Sequence, residues 1–265
     1  MKEDNYHIAF VNLDHRTDRL ANMEKELGRL NIQANRVRGM LPSEYTGPLN
    51  VEKMRRRTPG AIGCHFSQVR IMHEARAFGR HAWVMEDDLH LCEDFHERFN
   101  EIEAWMETHE WDVFYLGSSF HCNPSYWHKK GHRPHELEQC DCRLNRDAEC
   151  TEDPRIMRVY GAFATFAYIV NKDSLDKIIT LLDAHVHESI GIDWLMLRLG
   201  PQTKQFCYVP GLVRQIDNRS DIGSGDTIWS GFLQLNGTRE NSAYVFQERK
   251  EMFDPLKFDW HECNP

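Results

Sequence analysis

The chain has 265 residues, 41% of them apolar and 28% charged, a balance that can build one substantial core under a soluble surface. Its 32 Lys and Arg stand against 41 Asp and Glu, a formal charge of −9, which argues against a general binder of nucleic acid or anionic membrane. No stretch is long and apolar enough to span a bilayer, and the charged start Met1-Lys2-Glu3-Asp4-Asn5 lacks a signal-peptide pattern. The expectation is a cytoplasmic protein as given, or a secretory-lumen one if the sequence is a piece of a longer protein.

Ile8 to Val11 is a continuous apolar run, suited to a central strand covered on both faces. A helix is expected from about Thr17, with Leu20, Met23, Leu27 and Leu30 at helical spacing, and Ala34 to Arg38 reads as the next strand. This β-α-β opening predicts a layered, parallel sheet. Residues 41–58 read as loop and carry the basic run Arg55-Arg56-Arg57, which would grip phosphate or acceptor or simply be solvated. A helix over about 60–78 places Ile62, Phe66, Val69 and Met72 on one stripe. Ala82 to Met85 is a buried strand, a helix fits about 94–108, and Val113 to Leu116 is a strand closing at Gly117.

Residues 120–156 break the pattern. His121, Cys122, His132, Cys140, Cys142 and Cys150 are dense enough to raise zinc, but no Cys-x₂-Cys pair is present and Cys140-Asp141-Cys142 is too tight for structural zinc. A disulfide or a loop on the acceptor side fits as well. Regular structure resumes with a strand over Ala162 to Val170, a helix from Asp173 or Ser174 through Leu182, a short helix over Ile192–Leu199 and a strand over Phe206–Val209. From Arg214 onward the chain reads as polar loop. The whole is expected to be a single domain over 1–265, with an irregular His/Cys-rich insertion at about 120–156.

Chemistry concentrates where the strand Ala82 to Met85 runs into Glu86, Asp87 and Asp88. Open α/β sheets bind ligands at the carboxyl ends of their strands. Three adjacent carboxylates repel one another unless a cation or donor groups compensate them. A divalent cation site is one reading, a solvated acidic turn the other. Carboxylates suit Mn²⁺ or Mg²⁺, which take hard oxygen ligands. Alternation along a strand would set Asp87 on the side opposite Glu86 and Asp88, whereas a turn would not separate them in this way. Asn12, Arg16 and Arg19 follow the first strand and could meet a nucleotide there, or cap and pair locally.

Val11-Asn12-Leu13-Asp14 with Arg16 and Arg19 resembles the opening motif of family 25 glycosyltransferases, which include lipooligosaccharide and procollagen galactosyltransferases. The resemblance continues in order through Gly60-Ala61-Ile62-Gly63-Cys64 with Ser67, Val84-Met85-Glu86-Asp87-Asp88, Asp112 to Gly117, Ala167 to Val170, Ile192-Asp193 and Ser220-Asp221-Ile222. It implies a GT-A-like, layered α/β/α fold with a mostly parallel central sheet. It also implies transfer of a sugar from a UDP-sugar, galactose first and glucose next, with Mn²⁺ or Mg²⁺ and inversion at the anomeric carbon. The acceptor would be a hydroxyl of a glycan, lipid-linked or protein-linked. By this resemblance Asp193 is the candidate base, with a helix cap as its structural alternative. The resemblance implies Asp88, with Glu86, as metal ligands, and Asp112, Ser220 and Asp221 join Asn12, Arg16, Arg19 and Asp87 as candidate donor contacts. The family commonly has His after the helix-start Ser, where this chain has Gln68. A noncatalytic module descended from such an enzyme and a metal-dependent phosphohydrolase are the competing readings.

Overall fold

The computed structural model describes residues 1–46, 60–119, 151–153, 155–159, 162–185, 191–208 and 211–216. A seven-stranded sheet forms its centre, with strands β1 (Tyr6–Asn12), β2 (Asn35–Arg38), β3 (His81–Met85), β5 (Val113–Ser119), β6 (Ile156–Val159), β7 (Phe163–Val170) and β8 (Gln205–Tyr208). Their spatial order is β2-β1-β3-β7-β5-β8-β6. Strand β1 is parallel to β2 and β3, and β5 is parallel to β8. Strand β7 runs antiparallel between β3 and β5, and β6 runs antiparallel at the edge beside β8. Five of the seven strands therefore share one direction, the mostly parallel α/β sheet expected.

Two apolar layers cover the sheet because side chains alternate along each strand. In β3, Ala82 and Val84 face the layer containing Val69, Met72 and Ala75 of α2 (Gly60–Phe78), with Leu175 and Ile178 of α4 (Leu175–His185) and Leu195 and Leu199 of α5 (Ile192–Leu199). Trp83 and Met85 face the other layer, with Met23 and Leu27 of α1 (Thr17–Arg29) and Phe95, Phe99 and Ile102 of α3 (Phe95–Met106). Trp83 stacks on Phe99 at 4.9 Å, so the large residues of β3 fill the α1/α3 side and its small ones admit α2 close to the sheet.

Three strands lie outside the sequence expectation. Strand β4 (Leu89–Leu91) leaves the acidic turn and pairs antiparallel with β9 (Val213–Gln215), in a stretch read as loop, with Leu89 opposite Gln215. Strand β6 is the other addition; its start, Ile156, was assigned to the irregular insertion. Residues 120–150 of that insertion, Arg55–Arg57, Ser220 and Asp221 lie outside the described residues.

Strand β9 presses against the end of β5 at Gly117. A Cβ there would sit 2.3 Å from the Val213 carbonyl oxygen and 2.5 Å from a ring carbon of Phe166. Gly117→Ala is therefore expected to destabilise the protein by about 1–3 kcal/mol through overpacking. Chemical denaturation checks this, and a change below about 0.5 kcal/mol, the range of featureless surface substitutions, contradicts it.

Candidate active site

The carboxyl ends of β1, β2 and β3 open at one edge of the sheet, and Glu86, Asp87 and Asp88 turn there between β3 and β4. The strand alternation holds for the first two. Glu86 turns toward α2, where its Oε1 accepts from Gln68 Nε2 at 3.3 Å and meets Cys64 Sγ at 3.7 Å. Gln68 is fully buried and its own carbonyl accepts from Tyr168 OH at 2.8 Å. Asp87 turns to the α1 side: its Oδ2 accepts from Asn12 Nδ2 at 2.7 Å and its Oδ1 from Arg19 at 2.9 Å.

At Asp88, the second residue of a bend that begins at Asp87, the alternation ends. Asp88 sits beside Asp87 rather than opposite it, and Arg19 bridges the two, reaching Asp88 Oδ2 at 3.2 Å. That same oxygen accepts from Gln215 Nε2 at 3.1 Å. The other, Oδ1, is buried with no hydrogen-bond partner among the described residues, on a residue only 4% exposed. Asp88 thus shares Arg19 with Asp87, while its charge acts on Glu86 ahead of that of Asp87.

Asn12 and Arg19 are largely committed within the protein. Asn12 is buried, and its amide also donates to the Arg16 carbonyl at 3.1 Å and accepts from Arg36 Nε at 2.9 Å. Arg36, absent from the sequence expectations, also pairs with Asp14 at 2.6 Å. Arg16 stands at the N-cap position of α1 without a side-chain capping bond, and its guanidinium pairs with Asp18 at 2.8 Å. Asn12 and Arg19 thus orient the aspartates, which assigns them work inside the site beyond direct nucleotide contact.

Asp193 lies in the first turn of α5. It is close enough to Cys64 that its charge raises the thiol pKa, behind the dominant effect of burial and the charge of Glu86. The structure therefore brings Asp193 to the α2 side of the acidic turn. It does not bring Asp112 there. Asp112 precedes β5, which runs parallel to the β1–β3 group, and so lies at the opposite edge of the sheet. Burial raises its carboxyl, but the Ser174 hydroxyl, the Lys204 amide and Lys177 outweigh it and hold it below its ordinary value. A cleft of about 630 Å³ opens at that far edge. Its polar groups are engaged with one another: Tyr6 OH with Glu103, His81 with the Lys172 amide, and Trp111 with the Met106 carbonyl.

Burial, then the charges of Asp88 and Asp87, push the Glu86 carboxyl up to about 8. Burial also raises Asp88, with Arg19 opposing and Asp87 adding. Between its ordinary value of 4.5 and about 8, Glu86 holds a proton in the folded chain that the unfolded chain has lost. Stability of the metal-free protein is therefore expected to fall as pH rises through that window. Urea midpoints at its two ends check this, and Glu86→Gln should flatten the dependence. An unchanged slope in that variant contradicts the assignment.

The residues present fit a hard divalent cation. Three carboxylates meet at this edge, and one buried carboxylate oxygen has no partner. Among the described residues no three His, Cys, Asp or Glu side chains form a ready-made cage. That suits an ion held by one or two carboxylates and completed by substrate phosphates.

Residues 5–196 match the model of glycosyltransferase family 25 (LPS biosynthesis protein), well over half of the chain. The chain belongs to glycosyltransferase family 25. No curated protein matches it. The family 25 match carries β1, α2, the acidic turn and the start of α5, so the acidic edge lies within the matched residues; β9 with Gln215 lies beyond them. As a family 25 member the protein is a glycosyltransferase, acting on a sugar donor and an acceptor. No helix among the described residues is long and apolar enough to cross a membrane.

Proposed function

We propose that this glycosyltransferase is metal-dependent and moves a sugar from a UDP-sugar, UDP-galactose first and UDP-glucose next, to an acceptor hydroxyl with inversion. The observation that carries the reading is Asp88 Oδ1, a buried carboxylate oxygen without a partner at the ligand edge of the sheet. Asp88 and Glu86 would hold Mn²⁺ or Mg²⁺. A bound divalent cation supplies Lewis-acid stabilisation of the charge that develops on the departing diphosphate.

The protein's own groups do the rest. Arg19 and Asn12 fix Asp87, and Arg19 balances part of the charge of the aspartate pair. Asp193 takes the proton of the acceptor hydroxyl as that oxygen bonds to the anomeric carbon. The bond from that carbon to the phosphate oxygen breaks, and its electron pair leaves with UDP. Ser220 and Asp221 are proposed as further donor contacts. The family's description points to lipopolysaccharide, so a lipid-linked saccharide is the first acceptor to offer, with free and protein-linked glycans behind it.

Calorimetry of UDP with and without Mn²⁺ tests the cation. UDP is expected to bind at least about 10-fold more tightly with Mn²⁺ present, the lower end of the effect of disturbing a metal site. Equal affinity in its absence sinks the cation assignment. Asp193→Asn is expected to keep Mn²⁺-supported UDP binding and to lose about 100-fold or more in transfer, the loss of a general base. Unchanged transfer moves the base role elsewhere.

A further inference from the structure

Asp88 is held by a residue that the family match does not reach. Gln215 stands at the end of β9, and its Nε2 donates to Asp88 Oδ2 at 3.1 Å, while the Ile216 amide donates to the Asp88 carbonyl at 2.6 Å. The strand that carries Gln215 is pinned independently. Strand β9 pairs with β4, the Leu212 amide donates to the Leu116 carbonyl at 2.8 Å, and the Cys92 amide donates to the Leu212 carbonyl at 2.9 Å. The side chain of Gln215 therefore approaches Asp88 from a fixed backbone.

A carboxylate has two oxygens, and tying one fixes the direction of the other. Gln215 and Arg19 both take Oδ2; Oδ1 is left buried and unpartnered. The two donors differ in kind. Arg19 is shared with Asp87 and brings positive charge, which opposes a cation. Gln215 is neutral, so it orients the carboxylate without lowering the negative charge that attracts an ion.

We infer that Gln215 is a positioning residue: it holds Asp88 Oδ2 so that Oδ1 is the oxygen presented to a divalent cation. The inference rests on the cation reading proposed above, and its role is that of an outer partner that orients a ligand.

The test is direct Mn²⁺ binding by the metal-free protein, followed by the loss of the free-ion signal in electron paramagnetic resonance, with thermal unfolding recorded beside it. Three proteins are compared: wild type, Asp88→Asn, and Gln215→Met, which keeps side-chain length and removes the donor. Wild type is expected to bind Mn²⁺, Asp88→Asn to lose it, and Gln215→Met to bind about 10-fold or more weakly with unchanged thermal stability. If Gln215→Met does not fold, Gln215→Asn carries the same test, because its amide falls one methylene short. Wild-type affinity in a folded Gln215 variant overturns the role of Gln215 alone. Absence of protein-bound Mn²⁺ in wild type, both alone and with UDP present, overturns the cation reading and this inference with it.

Discussion

Asp88→Asn is expected to lower Mn²⁺-supported sugar transfer by at least about 100-fold while the protein stays folded, since removing one group that stabilises transition-state charge costs that much. Asn has the shape of Asp and can still accept from Gln215 and Arg19 through its carbonyl oxygen. What disappears is the second carboxylate oxygen, Oδ1, which is buried without a partner. The change also removes a negative charge from a residue whose carboxyl is already raised by burial and by Asp87. Melting should therefore be unchanged or slightly higher, so that loss of transfer cannot be ascribed to unfolding. Steady-state rates at saturating Mn²⁺ and a thermal scan decide it. Transfer within a factor of about 3 of wild type, roughly 0.7 kcal/mol, removes Asp88 from the chemistry.

Arg19→Ala is the substitution expected to cost most stability. The guanidinium lies between Asp87 at 2.9 Å and Asp88 at 3.2 Å, with all three side chains at most 10% exposed. Its removal leaves two buried carboxylates facing each other, and breaking a buried ion pair from one side costs about 3–5 kcal/mol. The loss should be smaller in acid, where Asp88, its carboxyl already raised by burial, takes up a proton, and smaller with Mn²⁺ present, because the ion supplies the missing charge. Urea unfolding at neutral and acid pH, with and without Mn²⁺, measures all three effects. A neutral-pH loss below about 1 kcal/mol would place the pair among weak surface-type contacts and contradict the assignment.

Much of this architecture is legible in the sequence, for reasons that can be named. Helices α2 and α5 span the residues expected because their apolar stripes must face the sheet, and β3 is a run with no polar residue after His81. Strands β4 and β9 are three residues each and exist only by pairing with one another, across more than a hundred residues of chain. No local pattern marks such a pair, and Gln215 was hidden with it. Strand β6 carries Arg158 in its middle and begins where a polar stretch ends, so it lacks an apolar run.

The site divides in the same way. Glu86 turns toward α2 and Asp87 toward α1, as alternation continued past the end of β3 would place them, and Asp88, the second residue of the bend, departs from it. The misplaced residue, Asp112, was correctable in advance: it stands before its strand, whereas Asn12 and Glu86 end or follow theirs, and in parallel strands those positions lie at opposite edges. Gln68, noted in sequence only as a departure from the family's His, is the buried amide that joins Glu86 to Tyr168.

The central claim is catalysis of sugar transfer from a UDP-sugar with help from a divalent cation at Asp88. Its most direct test is UDP release by the wild-type protein over a panel of UDP-sugars and saccharide acceptors, with Mn²⁺ and with excess chelator. UDP release is expected with at least one donor, fastest with UDP-galactose, stopped by chelator and by Asp88→Asn, and accompanied by transferred or free sugar. Release of inorganic phosphate in place of UDP, or UDP release at the same rate in chelator, would contradict it.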